Sequence, residues 1–89
     1  MDYAGVSLAG RTALVTGAAR RIGRAIALAL AQQGVHVVVH YRQSAPEALA
    51  LCDEIRALGV SAWPVRGDLM DSDQTEAVFR AAVDQAGGL

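Results

Sequence analysis

Lysine is absent. All eight basic residues of this 89-residue chain are arginine, which excludes any chemistry that needs a lysine amine. Cysteine is almost absent as well. Cys52 stands alone, so neither an internal disulfide nor a cysteine-based zinc cluster can form, and a reducing, cytoplasmic setting is expected. Aromatic residues make up only 4% of a chain that is 53% hydrophobic. The apolar content therefore comes from Ala, Val, Leu and Ile, which points to packed helices and strands and argues against disorder. No run approaches the roughly 18–20 apolar residues of a spanning helix. The opening Met1-Asp2-Tyr3-Ala4-Gly5 has no basic stretch leading into an apolar one, so neither a signal peptide nor a membrane partner is expected. A formal net charge of −1 and a pI near 6.0 give no general attraction to nucleic acid or anionic lipid. Arg20, Arg21 and Arg24 form the single basic cluster, which does not make a nucleic-acid surface. Any anion site must be local. The length allows one small domain or a piece of a larger one.

Three strand-like and three helix-like segments alternate. Thr12-Ala13-Leu14-Val15-Thr16 is a short apolar run between Gly10-Arg11 and Gly17, the pattern of a strand buried on both faces. After the turn Gly17-Ala18-Ala19-Arg20, apolar Ile22, Ala25, Ile26, Ala29 and Leu30 recur at helical spacing, with Gly34 at the expected C-terminal cap. Residues 35–41 hold Val37-Val38-Val39 between two histidines, a β-branched second strand. Ser44-Ala45-Pro46-Glu47 opens a second helix with proline in its first turn, Ala48, Leu51, Cys52, Ile55 and Leu58 follow at helical spacing, and Gly59 stops it. Residues 60–66 are expected as a third strand, placed at an edge by Pro64, which cannot donate to a ladder. Asp71-Ser72-Asp73 offers caps for a third helix that turns Val78, Ala81 and Ala82 to the sheet and ends at Gly87-Gly88. With right-handed crossovers this order makes a parallel sheet of strand order 3-2-1, the first β-α-β-α-β-α half of an α/β, doubly wound, Rossmann-type fold. Its first strand is left with an open apolar edge, a liability for a free monomer.

The stretch Thr16-Gly17-Ala18-Ala19-Arg20-Arg21-Ile22-Gly23 lies between a predicted strand and a predicted helix, the context in which a glycine-rich turn holds phosphate. Gly17 permits the sharp exit from the strand, and Gly23 permits close approach of the helix. The free amides of the first helical turn and the positive end of the helix dipole suit a pyrophosphate. Ile22 stands where a Walker loop needs its second glycine, and no Gly-Lys-Ser/Thr follows, so nucleotide triphosphate hydrolysis is disfavoured. At the end of the second strand, where an NAD enzyme places a carboxylate on the ribose 2′-hydroxyl, the sequence is His40-Tyr41-Arg42. Arg42 can pair bidentately with a 2′-phosphate and Ser44 can donate to it, so NADP(H) is favoured over NAD(H). His36 and His40 lie four apart on one strand face, but with no further ligands in reach a metal site is not expected.

Thr-Gly-x-x-x-x-Ile-Gly resembles the short-chain dehydrogenase/reductase fingerprint Thr-Gly-x-x-x-Gly-x-Gly, with Arg21 in place of the middle glycine. The variant, followed by His40-Tyr41-Arg42-Gln43-Ser44-Ala45, is similar to the pteridine-reductase branch of that family. The resemblance implies that Gly17, Arg20, Arg21, Ile22 and Gly23 line the pyrophosphate and adjoining ribose, and that Tyr41, Arg42 and Ser44 surround the 2′-phosphate. It also implies that Asp68 accepts from the adenine amino group while Leu69 packs on the ring. Residues 1–89 are then the N-terminal part of a single dinucleotide-binding domain. The family transfers hydride with a Tyr-x-x-x-Lys pair located further along the chain. Tyr3 and Tyr41 are followed four residues on by Ser7 and Ala45, so this chain holds no such pair. The expectation is the cofactor half of an NADP(H)-dependent oxidoreductase, a fragment of a homo-oligomeric parent. Its small-molecule substrate is a carbonyl compound, pterin-like or 3-oxoacyl. The competing expectation is a catalytically silent nucleotide-binding or assembly module, complete at this length.

Overall fold

The computed structural model describes residues 9–18 and 20–87. Tyr3 and the rest of the opening residues, Ala19 of the turn and Gly88 of the expected helix end lie outside the described residues. The element order is β1 (Thr12–Val15), α1 (Arg21–Gln32), β2 (His36–Tyr41), α2 (Ala45–Ala57), β3 (Ala62–Arg66) and α3 (Ser72–Ala86). The strands form one parallel sheet in the order β1-β2-β3, the expected 3-2-1 read from its other edge. Val15, the last residue of β1, pairs with Val39, which in turn pairs with Pro64, and β2 and β3 run on together to Tyr41 and Arg66.

β2 is central because its residues have nothing to offer solvent. Val37, Val38 and Val39 are fully buried, and each such side chain contributes roughly 1.5–3 kcal/mol by leaving water. Their alternation divides the core. Val37 and Val39 join Ala27, Ala31, Leu51, Cys52 and Ile55 beneath α1 and α2. Val38 points the other way, to Val65, Val78 and Ala82 beneath α3. The chain thus crosses from one face of the sheet to the other after β3, as a doubly wound sheet requires. Pro64 sits in β3, which is paired on one side only, so its missing donor need not break the ladder.

Helix boundaries follow local chemistry. Pro46 stands in the first turn of α2. At α3 the Asp71 carboxylate accepts from the amides of Asp73 and Gln74 at 2.9 and 3.2 Å, and Gly87 terminates the helix. Val78 and Ala82 of α3 are buried against the sheet and Ala81 packs beside them, as expected.

α1 departs from its expected orientation. Of the predicted buried stripe only Leu30 packs on the core, whereas Ile22 and Ile26 are 77% and 48% exposed. The buried face carries Ala27 and Ala31, in line with Gly23. Small residues at this spacing let the helix lie close to the sheet, and the isoleucines are left outward on a helix that is apolar on almost every side. Leu58, expected as the last core position of α2, is instead its half-exposed C-cap.

Two measurements check this packing. Leu51→Ala removes a fully buried side chain from the α2 face and is expected to lower unfolding free energy by about 2–5 kcal/mol in urea denaturation. Burial pushes the Cys52 thiol up, Arg56 opposes that shift and Asp53 adds to it. The thiolate fraction at neutral pH is thereby reduced, so alkylation of Cys52 is expected to be slow in the native chain and fast in denaturant. Equal rates would contradict the packing.

Candidate cofactor site

The carboxyl ends of the strands open onto a crevice bounded by the β1–α1 turn, the exit of β2 and the exit of β3. At the turn, Gly17 adopts φ +60°, a left-handed conformation that a Cβ disfavours. Gly23 meets the turn from the helix side. A Cβ there would lie 2.3 Å from the Gly17 carbonyl oxygen, so any larger residue would lift the helix start off the turn.

α1 begins without a cap. Arg20 stands at the N-cap in extended conformation, no side chain accepts from the helix, and its first turn contains no acidic residue. Arg21 follows with φ +47°. Left-handed backbone costs an L-residue roughly 1–2 kcal/mol, so the middle position of the turn keeps the backbone of a glycine while carrying a guanidinium. Arg20 and Arg21 are both exposed, and neither pairs with a carboxylate among the described residues. Arg24, one turn on, is committed to Glu54 of α2.

Three adjoining cavities line the crevice, and Arg42 borders all of them. Gly17, Arg20, Tyr41, Gln43 and Ser44 join it around a volume of about 190 Å³. Thr16, Gly17, His40, Asp68 and Leu69 join it around about 260 Å³. Gln43, Arg66, Gly67, Asp68 and Gln74 join it around about 480 Å³. Arg42 is 61% exposed and stands 3.5 Å from the Asp68 carboxylate, which is 28% exposed. Such an open pair is weak, worth at most about 1 kcal/mol, and leaves the guanidinium available to a stronger anion.

The structure therefore gathers Gly17, Arg20, Tyr41, Arg42, Ser44, Asp68 and Leu69 around one crevice. Arg21, Ile22 and Gly23 border none of the three cavities. Gly23 supports the turn from behind, and Ile22 faces outward.

Sequence reasoning missed two contributors. Arg66 donates from Nε to the Arg42 carbonyl at 3.3 Å and borders the largest cavity. His40 is 4% exposed, accepts from the Gly17 amide at Nδ1 (3.0 Å) and bonds the Gly67 carbonyl through Nε2 (2.8 Å). The available signal was a polar residue ending a run of buried valines, since a buried polar group needs partners. His36 serves separately at the other end of β2, where its Nδ1 accepts from the Ser61 amide at 2.9 Å.

The backbone at position 21 gives a direct test. Arg21→Gly removes the left-handed penalty but adds about 0.5–1 kcal/mol of chain entropy to be lost on folding. Its urea unfolding free energy is expected to rise by up to about 1 kcal/mol above that of the parent and of Arg21→Ala. A clear loss relative to Arg21→Ala would contradict the left-handed assignment.

Residues 11–89 match the short chain dehydrogenase family. The chain is 43% identical over 79 residues to 3-oxoacyl-(acyl-carrier-protein) reductase of Staphylococcus aureus, covering 89% of this chain and 32% of that protein. It is 44% identical over 82 residues to versicolorin reductase of Emericella nidulans, covering 92% and 31%. Among solved structures, a Burkholderia cenocepacia dehydrogenase with bound NADP superposes with a TM-score of 0.87 at 31% identity, covering 91% of this chain and 32% of that one. The chain spans about a third of the length of these relatives. A glycine turn between β1 and α1, the sheet order and a family match over all three strands lead to one assignment: the chain belongs to the short-chain dehydrogenase family.

Proposed function

We propose that this chain is the NADP(H)-binding portion of an oxidoreductase that passes hydride between NADP(H) and a carbonyl or alcohol substrate. The observation that carries the proposal is Arg42, which borders every cavity of the crevice from the exit of β2. A carboxylate there would accept from a ribose 2′-hydroxyl and repel a 2′-phosphate, whereas a guanidinium attracts the phosphate. A phosphate monoester carries about −1.5 to −2 charge at neutral pH, against a single negative charge on Asp68. In this reading Arg42 turns from Asp68 to the 2′-phosphate, Ser44 and Tyr41 complete that pocket, and Arg66 braces the Arg42 backbone. Asp68 is then freed to accept from the adenine amino group, and Leu69 covers the ring.

Arg20, Arg21 and the uncapped amides of α1 take the pyrophosphate, beside the turn that Gly17 and Gly23 shape. The bound cofactor supplies the hydride. The residues of this chain hold and orient it, and they include no Tyr-x-x-x-Lys pair to move the accompanying proton. The relatives named as a 3-oxoacyl reductase and a versicolorin reductase support a carbonyl substrate class; a pterin-like substrate is compatible with the sequence around Arg42.

Arg42→Asp tests the proposal. One charge-assisted contact to the 2′-phosphate contributes about 1.5–3 kcal/mol, so NADPH affinity is expected to fall about tenfold to a hundredfold, with NADH affinity held or raised. Calorimetric titration with both cofactors reads the ratio. An unchanged ratio would remove the NADP(H) assignment. Failure of the parent chain to bind either cofactor would remove the dinucleotide reading itself.

A further inference from the structure

The carboxyl end of β2 ties down both loops of the crevice. The His40 carbonyl accepts from the Ala18 amide at 2.9 Å, and the Tyr41 carbonyl accepts from the Gly67 amide at 3.0 Å. The His40 ring adds a second bond on each side, to the Gly17 amide and the Gly67 carbonyl. These partners admit one form of the imidazole. An amide N–H can only donate, so Nδ1 carries a lone pair; a carbonyl can only accept, so Nε2 carries the hydrogen. The ring is thus required neutral and in a single tautomer.

We propose that His40 is a positioning residue of the cofactor crevice, and that its neutral imidazole sets the distance between the glycine turn and the β3 exit. The proposal rests on reading this crevice as the dinucleotide site. A proton added at Nδ1 would face the Gly17 N–H, donor against donor. The turn would then lose its side-chain anchor at the residue whose backbone is already left-handed. The amides that follow would no longer converge on one anion.

The charged and titratable surroundings are few. Arg42, at the exit of the same strand, and Asp68, beyond β3, share a cavity with the ring and pair with each other. Tyr41 and Arg20 border the adjoining cavity on the side of the turn. Arg66 ends β3, and α3 faces Gly67 with the Val78 side chain and the Gln74 carbonyl. Thr16 and Gly17 of the turn carry no charge.

The test uses the full chain and His40→Asn, which keeps an acceptor near Nδ1 but does not titrate, with His40→Phe as the shape control. NADPH affinity is measured by calorimetry near neutral pH. His40→Asn, which keeps an acceptor for the Gly17 amide, is expected to bind within about threefold of the parent, and His40→Phe, which removes that acceptor, about tenfold more weakly. Equal affinities of the parent and His40→Phe, or equal losses in the two variants, would overturn the proposal. Ring nitrogen and Gly17 amide chemical shifts, recorded without cofactor, provide a readout independent of binding. The proposal requires a neutral ring protonated at Nε2 and a Gly17 amide signal that moves in His40→Phe. An Nδ1-protonated ring or an unmoved Gly17 amide would overturn it. If the parent binds neither cofactor near neutral pH, the dinucleotide reading fails, and the same shifts still decide whether His40 positions the turn.

Discussion

Everything at the crevice depends on where β2 stops. Its three valines are buried on both faces of the sheet, and the next residue, His40, bonds through backbone and ring to the loops on either side. A central strand of a parallel sheet already has both ladders satisfied, so it is the one fixed level from which two neighbouring loops can be measured. The glycine turn and the β3 exit inherit their separation from it. Were β2 to slip by one residue, its buried set would exchange faces and Arg42 would leave the crevice.

Much of this was legible in the sequence because the relevant signals are local. A β-branched run marks β2, Pro64 marks an edge strand, Pro46 opens α2, and Asp71 caps α3; each acts through atoms within a few residues of itself. The face that α1 buries was not legible in this way. From Ile22 to Ala31 the helix is apolar at almost every position except Gly23 and Arg24, so spacing alone supports more than one stripe. The choice is made by distance to the sheet. Gly23, Ala27 and Ala31 permit close approach and the two isoleucines do not, a selection by size that a polar-apolar pattern does not register.

The candidate site divides along the same line. Arg42, Ser44, Asp68 and Leu69 were readable because they stand just beyond strand ends, where a parallel sheet presents its ligand-facing residues. His40 and Arg66 were not, since their importance lies in bonds to residues 23 and 24 positions away in the chain. His36 and His40, four apart on one strand face, carried no metal expectation. Once folded, each ring serves a different backbone amide at opposite ends of the strand.

The start of α1 combines three unfavourable features. Its amides lack a side-chain cap, two arginines sit against the positive end of the helix dipole, and one of them holds a left-handed backbone that glycine would adopt without strain. α2 also lacks a side-chain cap but has Glu47 in its first turn, and α3 has the Asp71 cap followed by Asp73. Among the described residues no carboxylate offsets the charge of Arg20 or Arg21. Strain held at one point of a fold marks a place where stability is subordinate to another requirement. A cationic, uncapped and pre-bent helix start is complementary to an anion, and in the proposed reading a pyrophosphate supplies the charge and the acceptor oxygens that the described residues do not.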